Sequence, residues 1–140
     1  MVEESGFAEF REAAYDRLGE KLDVGPWFGQ TVLRPAIEAG IIYARLKFRV
    51  NMNTASSRRA VAGSKVPVLL IHGEEDKNIR PRSAELIHKA APNNTELWKV
   101  PKAAHCGAWA ANPAEFDRRV LEWFAKHTVR CDRGPCKMRG

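Results

Sequence analysis

The sequence predicts an α/β fold, because its second half alternates buried-strand patterns with helical ones. Residues 66–72 form a continuous apolar run, with three β-branched residues, that ends in His72 before Gly73, which is typical of a strand buried on both faces of a parallel sheet. A helical pattern follows at 82–91, and a second strand is predicted at 95–100. A final helix then begins at Pro113. This order indicates parallel strands joined by a right-handed crossover.

The first half of the chain predicts helices. Apolar residues recur at helical spacing from 7 to about 21 and again from 27 to 48, where Pro35 kinks or divides the helix. Small polar residues at 53–57 supply caps for a short helix that ends near Gly63. The expected inward-facing residues are Ile37, Ile41, Ala44 and Phe48 in the second helix, and Phe116, Val120, Leu121 and Phe124 in the last.

The composition limits the class of protein to which this chain can belong. The chain has 140 residues, 44% of them hydrophobic, which predicts one globular domain. No apolar run is long enough to span a membrane, and the N-terminus has no apolar signal segment. We therefore expect a cytoplasmic protein without a membrane partner.

Charge and cysteines are concentrated towards the C-terminus. Residues 126–140 carry four of the six net positive charges, so we expect a solvated basic tail at 128–140 and no nucleic-acid partner. Cys131 and Cys136 lie in this tail, and Cys106 is the third cysteine. Three cysteines without a secretory signal predict reduced thiols, and the tail pair alone makes no zinc site. We expect no metal.

Two polar side chains follow the predicted strands. Asp76 comes after the first strand and His105 after the second. Because the carboxyl ends of parallel strands meet at one edge of a sheet, these side chains open onto the same edge if the strands are neighbours. An Asp that accepts a hydrogen bond from His is the orienting half of a nucleophilic triad. From spacing alone, an Asp and a His in two polar loops are more often solvated surface residues than a catalytic pair.

The residues themselves resemble a known family. The segment VPVLLIHGEEDKNI at 66–79 resembles the penultimate core strand and acid loop of α/β-hydrolases, in their esterase and prolyl-oligopeptidase-like or dienelactone-hydrolase-like branches. LWKVPKAAH at 97–105 resembles their last strand and histidine loop, and residues 112–124 resemble their last helix. The resemblance implies that Asp76 is the triad acid and His105 the general base.

The resemblance also implies a partial fold. Residues 1–127 are similar to the C-terminal half of an α/β-hydrolase domain, with cap-like helices at about 7–62 and a strand-helix-strand-helix core at 65–127. No Gly-x-Ser-x-Gly occurs in the chain, so the serine nucleophile and its elbow are expected to be missing and the chain alone to be inactive. Such a chain would be truncated, beginning within or just after a core strand.

The chain departs from the family at three positions. Lys102 and Ala104 stand where the family often has glycine, which predicts a bulkier histidine loop. Arg80 replaces an apolar residue or proline.

Other candidate residues have ordinary structural interpretations beside the functional ones. Ser5, Ser83 and Cys106 are possible local nucleophiles, but no glycine-flanked elbow presents Ser5, a helix cap suits Ser83, and an inert thiol suits Cys106. His72 fits a buried core histidine. Trp109, in the loop that carries His105, is the candidate wall of a substrate pocket.

The predicted function is a serine hydrolase that cleaves a small ester or a short peptide without a cofactor, with the helices at 27–48 as a lid. Two alternatives stay open. One is an inactive half-domain that associates with itself or another polypeptide through an exposed sheet edge. The other is an α/β-hydrolase with an Asp nucleophile acting on haloalkanes or epoxides.

Overall fold

A three-stranded parallel sheet lies at the centre of the chain. The computed structural model describes residues 1–128, without the side chains of 25 and 26. Strands β1 (Val2–Glu4), β2 (Val68–Gly73) and β3 (Thr95–Val100) lie in the order β1-β2-β3. This confirms the predicted α/β class. Apart from residue 128, the expected basic tail with Cys131 and Cys136 lies outside the described residues.

Strand β2 is buried along its whole length. Leu69 and Ile71 pack with Trp98 and Trp123 on one face of the sheet, whereas Leu70 packs on the other. Burial on both faces explains why the β2 sequence is apolar at successive positions rather than at alternate ones.

Seven helices flank this sheet in the described residues. They are α1 (Phe10–Lys21), α2 (Gly25–Thr31), α3 (Arg34–Phe48), α4 (Ser57–Ala62), α5 (Arg82–Ala90), α6 (Ala108–Ala111) and α7 (Pro113–His127), with a 3₁₀ turn at Met52–Thr54. Pro35 divides the second predicted helix, because it occupies the first turn of α3, where no N–H is needed. The short α6 was not expected from the sequence.

Two of the predicted inward faces are partly wrong. In α7, Trp123 is buried while Leu121 and Phe124 are 69% and 43% exposed. Leu121 lies about 140° around the helix from Phe116, because each residue turns the helix by about 100°. In α3, Ile41 is buried as expected but Phe48 is 64% exposed, at the end of the helix. Residues 46 and 48 remain uncovered in the described part of the chain.

The loops after β2 and β3 touch through their main chains. The Glu74 N–H donates to the Val100 carbonyl, and the Glu75 N–H to the Ala103 carbonyl, both at 3.0 Å. A Cβ on Gly73 would lie 2.3 Å from the Ala103 oxygen, so only glycine permits this approach.

Among the described residues, no helix combines the length and the apolar character that crossing a bilayer requires.

Replacing Gly73 with Ala should push the two loops apart. Forcing a methyl group into this contact should lower the free energy of unfolding by about 1–3 kcal/mol. Urea denaturation measures the change. Gly40→Ala in α3 is the matched control, because a Cβ there meets no atom within 4 Å. The control should be neutral or stabilising by up to about 1 kcal/mol. Equal effects of the two substitutions would contradict the steric argument.

Candidate active site

Asp76 and His105 meet where their strands end. The His105 Nδ1–H donates to Asp76 Oδ2 at 2.9 Å. A carboxylate only accepts, so Nδ1 carries the proton and Nε2 is left as the free acceptor of a neutral ring. Asp76 is buried, whereas the His105 side chain is 36% exposed. The structure thus brings together the two residues that the sequence predicted to share one sheet edge.

Hydrogen bonds keep the buried Asp76 carboxylate ionised. Its Oδ1 accepts the backbone N–H groups of Asn78 and Ile79, each at 2.9 Å. Burial raises the pKa of Asp76, but the hydrogen bonds from Ile79, His105 and Ser5 outweigh burial and hold the pKa below its ordinary value of 3.8. The carboxylate is therefore charged at neutral pH.

Ser5 joins the third strand end to the other two. It follows β1 with φ 54°, its N–H donates to the Ile71 carbonyl, and its Oγ accepts the Cys106 N–H at 3.0 Å. Ser5 is 6% exposed, and its hydroxyl also stabilises the Asp76 charge. Ser5 thus links β1 to both loops of the site, and within residues 1–128 it makes no hydrogen bond to the His105 ring. Sequence reasoning missed this contact, since nothing in the residue pattern pairs Ser5 with Asp76.

His72 is a buried core histidine, as the sequence predicted, but it also touches the site. Its Nε2 lies 2.8 Å from the Ile79 carbonyl oxygen and 3.4 Å from Asp76 Oδ2. The sequence interpretation gave His72 no functional role.

The histidine loop keeps a glycine-like backbone despite its larger residues. Lys102 and Cys106 have φ of 59° and 52°, in the left-handed region that favours glycine. Lys102 therefore retains the conformation that glycine would adopt there. The larger side chains do not prevent His105 from reaching Asp76.

A cleft of about 1180 Å³ lies between the acid loop and helices α1 and α2. Its lining includes Trp27, which is exposed, and Ser83. Arg80 crosses from the acid loop towards α1, where its guanidinium lies 3.4 Å from Glu20 and 3.7 Å from Asp16. Arg80, which replaces the apolar residue or proline of the family, thus links the acid loop to α1 across the wall of the cleft.

Three further candidates make no hydrogen bond to Asp76 or His105 within residues 1–128. Trp109 is exposed and is not among the residues that line the cleft, so its role as a pocket wall stays a prediction. Ser83 lies in the first turn of α5, and Cys106 is exposed. In residues 1–128, neither of them hydrogen-bonds to the His105 ring.

The arrangement can carry out proton transfer. A carboxylate that fixes one imidazole nitrogen as a donor leaves the other as a base, and it stabilises the imidazolium that forms. Within residues 1–128, no three His, Cys, Asp or Glu side chains cluster closely enough to hold a metal ion.

Comparison with known proteins decides the family. A sequence profile of the prolyl oligopeptidase family matches residues 37–130, which is more than half of the chain. The chain belongs to the prolyl oligopeptidase family. No curated protein matches it significantly.

Solved α/β-hydrolases share the fold. An esterase of Pyrococcus furiosus has a TM-score of 0.57 at 19% identity, over 91% of this chain and 44% of the esterase. An acylaminoacyl peptidase of Pyrococcus horikoshii has a TM-score of 0.54 at 19% identity, over 95% of this chain and 20% of the peptidase. An α/β hydrolase from a deep-sea metagenome of the Medee basin has a TM-score of 0.52 at 17% identity, over 94% of this chain and 58% of the hydrolase. The chain therefore spans only part of these relatives and has part of the α/β-hydrolase fold.

Asp76 should stabilise this prolyl oligopeptidase relative in a pH-dependent way. The pKa of Asp76 in the folded protein lies below its ordinary value of 3.8. The charged carboxylate therefore adds its full share to the free energy of unfolding above pH 3.8, and this share is lost as the pH falls through the lower pKa of the folded state. Asp76→Asn should therefore unfold at lower urea concentration than the parent at pH 7, and the difference should shrink below pH 4. Asp117→Asn, at an exposed carboxylate of α7, is the control and should match the parent at both pH values. A difference for Asp76→Asn that grows on acidification would contradict this assignment.

Proposed function

We propose that this chain is the C-terminal part of a serine hydrolase that cleaves ester or amide bonds, with Asp76 as the triad acid and His105 as the general base. The observation that carries the proposal is the 2.9 Å hydrogen bond from His105 Nδ1 to the buried carboxylate. Membership of the prolyl oligopeptidase family supports it. The solved esterase and peptidase that share the fold support both bond classes.

In the proposed mechanism, a serine outside this chain attacks the substrate carbonyl. His105 Nε2 accepts the serine proton and then donates it to the leaving group. Asp76 holds the ring in the Nδ1–H tautomer and stabilises its charged form. The amides that bind the oxyanion also come from outside the chain. None of these steps uses a cofactor.

The proposed substrates are small esters or short peptides. The cleft of about 1180 Å³ would admit either, and its lining includes Asp76 but not His105, so the substrate would extend from the cleft to the imidazole. Helices α2 and α3 would form the lid, with Trp27 on the cleft wall and Trp109 near His105 as the residues to test for substrate contact. Cytoplasmic localisation stays a prediction.

A second candidate function is association without catalysis. Within residues 1–128, β1 and β3 are edge strands of the sheet, and α3 exposes Ile42, Leu46 and Phe48. Open strand edges and uncovered apolar side chains favour pairing with another polypeptide or a second copy. This candidate predicts a complex in solution and no hydrolysis.

The catalytic proposal predicts that activity depends on both residues. Hydrolysis of a short-chain aryl ester and of an acyl-peptide anilide should be measured for two proteins: the 140-residue chain, and the chain extended by its upstream in-frame coding segment. Asp76→Asn should lower kcat of the extended protein by about 10⁴-fold, because the imidazole then adopts the wrong tautomer. His105→Ala should abolish turnover to a similar extent.

The controls separate catalysis from folding. Asp117→Asn and His127→Ala change exposed residues of α7 and should leave turnover unchanged. If the extended protein hydrolyses neither substrate, or if both site variants keep full activity, the catalytic proposal fails. Analytical ultracentrifugation of the same samples would then test the association candidate, which requires a dimer or a heteromeric complex.

A further inference from the structure

His72 is the polar side chain beneath the proposed acid. It lies near the end of β2, four residues before Asp76, and its ring is completely buried. It packs in a strand whose other side chains are apolar, so a residue chosen only to fill this space would be apolar too.

One ring nitrogen of His72 is directed at the acid loop. Its Nε2 is 2.8 Å from the Ile79 carbonyl oxygen, which can only accept, so Nε2 carries a proton. The same nitrogen lies 3.4 Å from Asp76 Oδ2, the oxygen that binds His105. The shorter contact to Ile79 is the stronger of the two.

The contact to Ile79 closes the loop around the carboxylate. Ile79 donates its N–H to Asp76 Oδ1 while its carbonyl accepts from His72. Both backbone polar groups of Ile79 are thus engaged, so the contact with His72 restrains the residue that donates to Oδ1.

The other nitrogen of His72 has no hydrogen-bond partner among the described residues. Nδ1 is buried and unpaired, which is unfavourable for a polar atom. The cost of burying this ring is therefore offset on one side only, by the Nε2–H that holds the acid loop.

We infer that His72 is a positioning residue that acts through Asp76: its Nε2–H fixes the Ile79 carbonyl and so holds the carboxylate in line with His105. An effect of His72 on catalysis rests on the proposed function. The positioning itself is testable in the 140-residue chain without any turnover.

The test compares variants that keep or remove the donor. His72→Gln keeps an N–H₂ group at a similar reach, whereas His72→Leu and His72→Phe remove it and keep an apolar side chain of comparable size. The readout is the tautomer of His105, from the ring ¹⁵N shifts of labelled protein. Solvated imidazole prefers Nε2–H, and the hydrogen bond to Asp76 selects Nδ1–H. His127, exposed on α7, is the internal reference and should not change.

We expect parent and His72→Gln to keep His105 mainly as Nδ1–H, and the donor-free variants to shift mainly to Nε2–H while remaining folded. An unchanged tautomer in a folded donor-free variant would overturn the inference. An equal shift in His72→Gln would also overturn it, because ring shape would then matter rather than the N–H. Unfolding of both donor-free variants beside a folded His72→Gln would assign His72 to stability alone and would overturn positioning.

In the extended protein, the donor-free variants should lose kcat by about 10- to 100-fold with little change in KM, the range expected for a lost hydrogen bond around a charged group. His72→Gln should restore most of the rate. If the extended protein is inactive while the tautomer shift occurs, the proposed function fails and the positioning role stands. A normal rate in a folded donor-free variant would overturn the catalytic meaning of His72.

Discussion

The main-chain contact between the loops after β2 and β3 is the constraint on which the site depends. Two backbone hydrogen bonds, from Glu74 and Glu75, join the loops, and the absence of a side chain at Gly73 makes the approach possible. Because Glu75 directly precedes Asp76 and Ala103 lies two residues before His105, this contact sets where both side chains begin. The backbone thus provides the frame of the site, and side-chain contacts then orient the pair within it.

The buried carboxylate is tolerated because two of its hydrogen-bond donors come from its own loop. Asp76 receives two N–H groups from Asn78 and Ile79, so its charge is compensated before His105 binds. His105 remains partly exposed while Asp76 is buried. This division agrees with the proposed role of His105 as the general base.

Much of the fold and the central pair could be predicted from the sequence. The apolar run of β2 and the rule that parallel strands end at one edge predicted that Asp76 and His105 share an edge if their strands are neighbours. The family resemblance added their proposed roles. The exposure of Leu121 and Phe48 could not be predicted, because periodicity shows which residues share a stripe but not how far a partner covers it. The contacts of Ser5 and His72 depend on atomic distances between segments far apart or on a loop closure, which no spacing rule encodes.

Strand β1 is short, so its alignment with β2 depends on few contacts. Only three residues pair with β2, yet beyond them Ser5 receives the Cys106 amide, and Glu4 receives the amide of Ala108 at 2.9 Å. A slip by one residue would exchange the two faces of the strand and leave both amides without acceptors. Only one alignment of β1 on the sheet therefore satisfies both amides, and the same alignment places the Ser5 hydroxyl beside the Asp76 carboxylate.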